Sequence, residues 1–458
     1  MPSTCPAPTS IGFRGCPHRR KGRTSRGRRI AVPTRPCGKV RKGHQHAKKW
    51  RVSMRGGSVA VVGGSIAGCA AALAASRGGA ERITVFERAD ARLRDRGVGI
   101  GVHDARYAEL RDAGYMADEM PWAPLNRRVW SVRDGDAEHG RAIGTQPFPF
   151  RAYNWGSLWS ELRRRVPETA TYRAGAKVEA VEQDADGVTV RLADGEPERF
   201  DLVIGADGYR SVVREAMYPG TGAAYAGYIG WRGTSPDVSG LPSDGLDAHN
   251  ITFPGGHCMA YRIPDGSGGH RLNWVLYTAP PRIDGLHPDL RTPTSLPPGR
   301  LNAELTEHLR ALVAEHFPPF WAAKLLSTPA ETTFIQPIYD LDVPHYATDR
   351  MVLIGDAASV ARPHLGAGSV KALQDATALE AAWVAGESWK EILEGYHAAR
   401  GPVGTAMVGL ARRMGSAQVE ETPDWSAMGQ AEFDAWWQEQ NNGSDRRSGF
   451  GGHSLKSR

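Results

Sequence analysis

The chain of 458 residues is poor in cysteine, and its five cysteines are badly placed for cross-linking. Cys5, Cys16 and Cys37 crowd the N-terminal segment, leaving Cys69 and Cys258 far apart in the remainder. That excludes a disulfide framework and fits a reducing, cytoplasmic setting. No C-x2-C pair accompanies His18, His44 and His46, so a zinc site is not expected and no metal is assigned. Acidic residues are missing from the first 53 positions, which carry 15 Lys and Arg. The rest of the chain then has 42 basic against 50 acidic residues, so the sequence pI of about 9.2 belongs to the leading segment alone. Residues 1–54 are rich in Pro, Gly and Arg with too few apolar side chains to fold alone, and are expected to be disordered. An acidic body also argues against a nucleic-acid partner. Arg28-Arg29 has the form of a twin-arginine signal, but no apolar region develops before Pro33. Long hydrophobic runs are absent too. The uncharged stretch between Arg55 and Arg77 is interrupted by five glycines from Gly56 to Gly68, which excludes a membrane span. No internal repeat is visible.

What is present begins at Ser58. Val59 to Val62 reads as a buried parallel strand, followed by the turn Gly63-Gly64-Ser65-Ile66-Ala67-Gly68 and a helix of small residues. This is how a dinucleotide's pyrophosphate is brought onto a helix N-terminus. Ile83 to Glu87 supplies a second strand, and Glu87 stands where an acidic side chain accepts hydrogen bonds from an adenosine ribose. A second strand-turn-helix, Asp201 to Arg214, contains Gly205-Ala206-Asp207-Gly208. A third, Asp349 to Ala358, ends in Gly355-Asp356 and continues into Pro363-His364-Leu365-Gly366-Ala367-Gly368. Between them, the aromatic and glycine-rich region from Tyr225 to Pro280 reads as a mostly antiparallel sheet. Gly220-Thr-Gly222 follows no strand, so a second dinucleotide fingerprint is lacking.

Each motif is weak alone, but their order and spacing together resemble the single-component FAD-dependent aromatic hydroxylases of the para-hydroxybenzoate hydroxylase superfamily. The segments that carry the resemblance are Val62-Gly-Gly-Ser-Ile-Ala-Gly68, Val203-Ile-Gly-Ala-Asp-Gly208, Tyr225-Ala-Gly-Tyr-Ile-Gly-Trp-Arg-Gly233 and Ile354-Gly-Asp-Ala-Ala-Ser-Val-Ala-Arg-Pro-His364. The fold class it implies is α/β: a Rossmann-like FAD-binding domain with an inserted mixed, mainly antiparallel β-sheet substrate domain. Residues 55–120, 151–222 and 331–420 would form the FAD-binding part, the last with C-terminal helices. Residues 121–150 and 223–330 would form the substrate part, and 421–458 a polar, partly disordered tail.

By the same resemblance, Gly63, Gly64, Ser65, Ile66, Ala67 and Gly68 would hold the FAD pyrophosphate, Glu87 and Arg88 the adenosine end, and Arg96 the phosphate-ribityl chain. Gly355 and Asp356 would serve the ribityl hydroxyls. Pro363, Leu365, Gly366, Ala367 and Gly368 would present backbone N–H groups to the flavin ring. Asp207, Gly208 and Arg214 would belong to the motif tied to FAD and to NAD(P)H, which binds only transiently. Two departures narrow the branch. Ser65 replaces the middle glycine of G-x-G-x-x-G, and Lys371 stands where many members have asparagine. Both features resemble the pyridine-hydroxylase branch.

The activity so implied is hydroxylation of an electron-rich phenol or hydroxypyridine with NAD(P)H and O2, through a flavin C4a-hydroperoxide. Trp231, Tyr261 and Trp274 are candidates for the walls of a closed, aromatic pocket, with simple core packing as the competing account of each. A ring hydroxyl needs a base or hydrogen-bond acceptor, for which His364, Tyr228 and His257 are the candidates. A flavoprotein epoxidase or natural-product tailoring oxidase, and a flavin-binding protein without turnover, stay open beside the hydroxylase. So does the oligomeric state, including a homodimer.

Overall fold

Val59, Ala60 and Val61 are fully buried and Val62 nearly so. A strand with no polar alternation belongs in the middle of a sheet covered on both faces, and that is where it lies. The computed structural model describes residues 56–90, 98–282, 296–441 and 450–455. β1 (Ser58–Val62) leads through the glycine turn to α1 (Ile66–Gly78), β2 (Arg82–Glu87), β3 (Gly99–His103) and α2 (Asp104–Asp112). Two long strands, β4 (Ala123–Val132) and β5 (Arg141–Asn154), run to α3 (Trp155–Arg165) and β6 (Thr171–Ala174). Then come β7 (Val178–Gln183), β8 (Val188–Leu192), β9 (Glu198–Phe200), β10 (Leu202–Gly205) and α4 (Val212–Met217). Four strands follow, β11 (Ala224–Ser235), β12 (Asp247–Phe253), β13 (Gly256–Pro264) and β14 (His270–Thr278), and after them α5 (Ala303–His316) and α6 (Pro319–Leu326). The chain closes with β15 (Phe334–Asp342), β16 (Met351–Leu353), β17 (Ser359–Val360), α7 (Gly368–Ala385), α8 (Trp389–Gly415) and α9 (Gln430–Asn441).

The first sheet is parallel, in the order β16-β10-β1-β2-β6. The three sequence motifs therefore end on three adjacent strands, β1, β10 and β16, and their turns share one sheet edge. Ligands of open α/β sheets bind at such an edge, beyond the carboxyl ends of the strands. The second sheet has nine strands in the order β17-β15-β11-β14-β13-β12-β4-β5-β3, antiparallel except for β12 against β4. A small sheet, β7-β8-β9, contains the hairpin of β7 and β8.

The strands do not follow the expected divisions at residues 120 and 330, because β3 and β15 both join the nine-stranded sheet. One face of that sheet packs on α5 and α6, with Trp231, Trp274 and Leu276 against Val313, Phe317 and Trp321. Alternate residues point the other way, toward the parallel sheet and its turns.

The expectation of a polar, partly disordered tail over 421–458 is corrected for its described residues. Trp425, Phe433 and Trp436 are buried against Trp130, and α9 forms around them. Phe433, Trp436 and Trp437 recur at helical spacing, a stripe that average composition conceals. Further along, Gly451, Gly452 and His453 are buried, with the Gly451 N–H donating to the Leu365 carbonyl.

Candidate active site and cofactor cradle

Two glycines of the first turn are dictated by space. Gly63 has φ +99°, and a Cβ there would lie 2.4 Å from the Ala206 carbonyl oxygen; on Gly68 it would lie 1.8 Å from the Gly63 oxygen. The Gly64 carbonyl accepts from Trp159 Nε1 at 2.9 Å and Tyr172 OH at 2.9 Å, while its N–H donates to Glu87 Oε2 at 2.7 Å. Glu87 Oε1 accepts from the Ala89 N–H, so the buried carboxylate clamps the turn. Ser65 occupies the N-cap of α1 but its side chain makes no capping bond. Its hydroxyl is thus left for a ligand, beside helix N–H groups that attract an anion. Cys69 donates weakly to the Gly64 carbonyl, and burial pushes its thiol up to about 12, making it unreactive. Arg88 is exposed at the end of β2. Arg96 lies outside the described residues.

The second motif is used differently from the expectation. Asp207 Oδ2 accepts the Val212 N–H at the start of α4, and burial pushes its carboxyl up. Arg214 donates to the carbonyls of Tyr209 at 2.6 Å, Thr221 at 3.0 Å and Ala357 at 3.2 Å. Its guanidinium is committed to backbone, stapling the Gly208 turn to the Gly355 turn rather than standing open to a ligand.

At the third motif, Gly355 adopts φ +58° and a Cβ there would press on Ala67 at 2.9 Å, so this turn abuts the start of α1. Asp375 Oδ2 accepts the Gly355 N–H at 2.9 Å, Lys371 Nζ donates to the Gly355 carbonyl at 2.9 Å and to Asp375 at 2.7 Å, and Arg400 Nε donates to Asp375 at 2.7 Å. The reading of the sequence missed Asp375 and Arg400. A charged residue at i and i+4 on an otherwise apolar helix, as with Lys371 and Asp375, was the available signal. Asp356 exposes a carboxylate with no hydrogen-bond partner among the described residues, although protein surrounds it closely enough to push its carboxyl up.

The loop after β17 makes a tight turn over Pro363–Leu365 and leaves it at Gly366, φ +60°. A Cβ added at Gly366 or Gly368 would meet nothing within 4 Å, so open space lies beside the N-terminus of α7. Together with the uncommitted Ser65 and Asp356, this is a cradle with the right donors and acceptors for FAD: anion-binding N–H groups, a hydroxyl, a carboxylate for sugar alcohols and open backbone for a flat ring.

His364 in this loop joins a buried polar cluster on the facing sheet. His364 Nε2 lies 2.6 Å from Tyr228 OH and its Nδ1 lies 3.2 Å from His257 Nε2. His257 Nδ1 is 3.1 Å from Asn250 Nδ2, and Arg128 Nε donates to Asn250 Oδ1 at 2.9 Å. Burial, then the Arg362 and Arg128 charges, push His364 down to about 3. Burial and the same Arg128 charge hold His257 well below the usual histidine range. Both rings are neutral at physiological pH. The three proposed catalytic side chains are thus in one hydrogen-bonded group. The Tyr277 ring packs beside this group, its centre 4.8 Å from that of the His364 ring, and Tyr277, Arg128 and Asn250 were not singled out from sequence.

Of the three proposed pocket walls, Tyr261 faces the same side, its hydroxyl 2.8 Å from where a Cβ on Gly99 would be. Trp231 and Trp274 do not. They lie on the opposite face beneath α5 and α6, Trp231 stacked on His308 and Trp274 donating to Thr328. Strand alternation decides this, since Trp231 and Trp274 pair with Leu276 and Ala260 on one face while Tyr277 pairs with His257 on the other.

The FAD binding domain family model matches residues 57–255 and 298–411. The chain belongs to this family of FAD-dependent monooxygenases. It is 30% identical over 372 residues to 2,6-dihydroxypyridine 3-monooxygenase of Paenarthrobacter nicotinovorans, covering 78% of this chain and 90% of the relative. It is 32% identical over 337 residues to 3-amino-4-hydroxybenzoate 2-monooxygenase of Streptomyces cremeus, covering 70% and 77%. The solved structure of 2,6-dihydroxypyridine-3-hydroxylase from Arthrobacter nicotinovorans superposes with a TM-score of 0.69 at 27% identity, covering 82% of this chain and 96% of that one. The monooxygenase uses FAD as cofactor, with NAD(P)H and O2 as co-substrates. Among the described residues, no helix is long and apolar enough to cross a membrane, and no group of His, Cys, Asp or Glu is placed to hold a metal ion.

Proposed function

We propose that this monooxygenase hydroxylates a small, electron-rich hydroxylated ring, a phenol or hydroxypyridine, that lies between the Pro363–Gly368 loop and the sheet face bearing Tyr228, His257, Tyr261 and Tyr277. The observation that carries the proposal is the buried Tyr228–His364–His257 cluster, which puts neutral hydrogen-bonding groups on the loop that would carry the flavin ring. Relatives that act on a dihydroxypyridine and on an aminohydroxybenzoate support the substrate class.

When bound, FAD supplies electron transfer from NAD(P)H and the activation of O2. The chain's own groups do the rest. Ser65 and the start of α1 would hold the pyrophosphate, Glu87 the ribose, and Asp356 the ribityl hydroxyls. The N–H groups from Gly366 to Gly368 would donate to the flavin ring and stabilise negative charge on it. The buried aromatic face excludes water, and the histidine cluster holds the Tyr228 hydroxyl in place to donate to the substrate's ring oxygen. The net acidic body and paucity of cysteine support a cytoplasmic enzyme with no nucleic-acid partner, and a homodimer is a compatible assembly.

His364→Ala tests the site. It should lower substrate-stimulated NAD(P)H oxidation at least tenfold while the purified protein stays yellow with bound FAD. Unchanged turnover would remove His364 from the reaction.

A further inference from the structure

Arg128 on β4 is 1% exposed, yet no carboxylate pairs with it among the described residues. Its guanidinium sits over Trp130 at 4.3 Å and near Phe450 at 5.4 Å, and its Nη1 has no hydrogen-bond partner among the described residues. Burial pushes it down only to about 9, so it stays charged at neutral pH. A lone buried cation is costly unless it does something, and its hydrogen bond from Nε to Asn250 Oδ1 has a definite consequence.

An arginine nitrogen can only donate. The Asn250 atom facing it must therefore be the oxygen, which turns the amide NH2 toward His257 Nδ1. An NH2 also only donates, so His257 Nδ1 is bare and its hydrogen is on Nε2. That hydrogen points at His364 Nδ1, 3.2 Å away, which must be bare in turn. His364 then carries its hydrogen on Nε2 and donates to Tyr228 OH, whose own hydrogen is directed out of the chain of bonds. Reversing any link places two donors face to face at Arg128.

We infer that Arg128, acting through Asn250, is a positioning residue that locks His257 and His364 as neutral Nε2–H tautomers. The histidine on the flavin loop is thereby a hydrogen-bond donor and not a base. The charged and titratable groups facing this pair are Arg128 from β4, Tyr277 from β14, Tyr228 from β11, and Arg362 beside the loop, which is itself held by Asp340 and Glu420. None is a carboxylate in contact with either ring, so nothing favours a second proton. The tautomers follow from geometry alone; only their effect on turnover rests on the hydroxylase reading.

The test uses the full chain with bound FAD, labelled with heavy nitrogen at histidine only, and NMR of the imidazole nitrogens. In the wild type, His257 and His364 should both show a bare Nδ1 and a protonated Nε2, unchanged between about pH 5 and 9. Asn250→Asp replaces the donor toward His257 by an acceptor, so His257 should gain a proton on Nδ1, as reversed tautomer or as cation. The kcat profile should then acquire a new limb in that pH range which the wild type lacks. Arg128→Met, which fits the aromatic cage, should free the Asn250 amide to turn and give both tautomers. A protonated Nδ1 on either ring in the wild type, or unchanged Nδ1 signals in both variants, would overturn the inference. Should N250D not fold, the wild type and R128M decide it. Absence of hydroxylase activity with the predicted tautomers intact would count against the functional proposal and leave this one standing.

Discussion

A methyl group on Gly68 would stand 1.8 Å from the Gly63 carbonyl oxygen, and no shift of a side chain relieves a contact between two backbone segments. Gly68→Ala should therefore yield a protein with less than about a tenth of the wild-type flavin, read from the visible absorbance after purification. A full flavin complement would show that the turn can open. Asp375 makes a different demand. Burial pushes its carboxyl up, but Lys371 and Arg400 outweigh that and hold it below the usual carboxylate range. Asp375→Asn leaves two buried cations without their anion and should cost about 3–5 kcal/mol in urea denaturation. Because the folded pKa is depressed, the pair's contribution is fully present above the unfolded value of about 3.9 and is lost as pH falls through the folded one. The variant should thus lose the acid limb that the wild type shows below about pH 4. The buried histidines act in the opposite range. Their folded pKa values lie below that of an unfolded histidine, so they erode stability as pH falls below about 6.5 and are neutral bystanders above it.

At the scale of elements, what was legible in the sequence was what the backbone needs and what composition makes conspicuous. β1, α1 and β2 were readable because a buried parallel strand, a glycine turn and a small-residue helix leave few alternatives. The Gly355-Asp356 turn was readable for the same reason. The face a residue takes in a sheet was not. Trp231 and Tyr228 are three apart on β11 and so fall on opposite faces, but alternation alone does not say which of the two faces is covered by α5 and α6. Arg128 and Asn250 were invisible because their partners lie 122 residues apart in the chain. The tail was misjudged because four bulky rings are scattered through polar sequence, and only the fold gathers them on Trp130. Trp436→Ala should accordingly cost about 3–5 kcal/mol, measured by denaturant unfolding. A cost below about 0.5 kcal/mol would restore the reading of that segment as peripheral.

For the whole molecule, the two sheets divide the work. The parallel sheet brings three turns to one edge and builds a cradle from groups that have no other employment, Ser65 and Asp356 above all. The mixed sheet turns one face to its own helices and the other, with its histidines and tyrosines, to the loop beside that cradle. A chain beginning at Met54 keeps every described residue and should bind FAD as fully as the complete one, checked by flavin content per protein. Loss of flavin would assign the segment a role in folding. The most direct test of the central claim is a screen of phenols and hydroxypyridines with the purified yellow protein, NAD(P)H and isotopically heavy O2, followed by product mass. The expected result is a ring that stimulates NAD(P)H oxidation and leaves carrying one heavy oxygen atom. Protein that binds no FAD, or oxidation that yields only hydrogen peroxide with every ring unchanged, would contradict it.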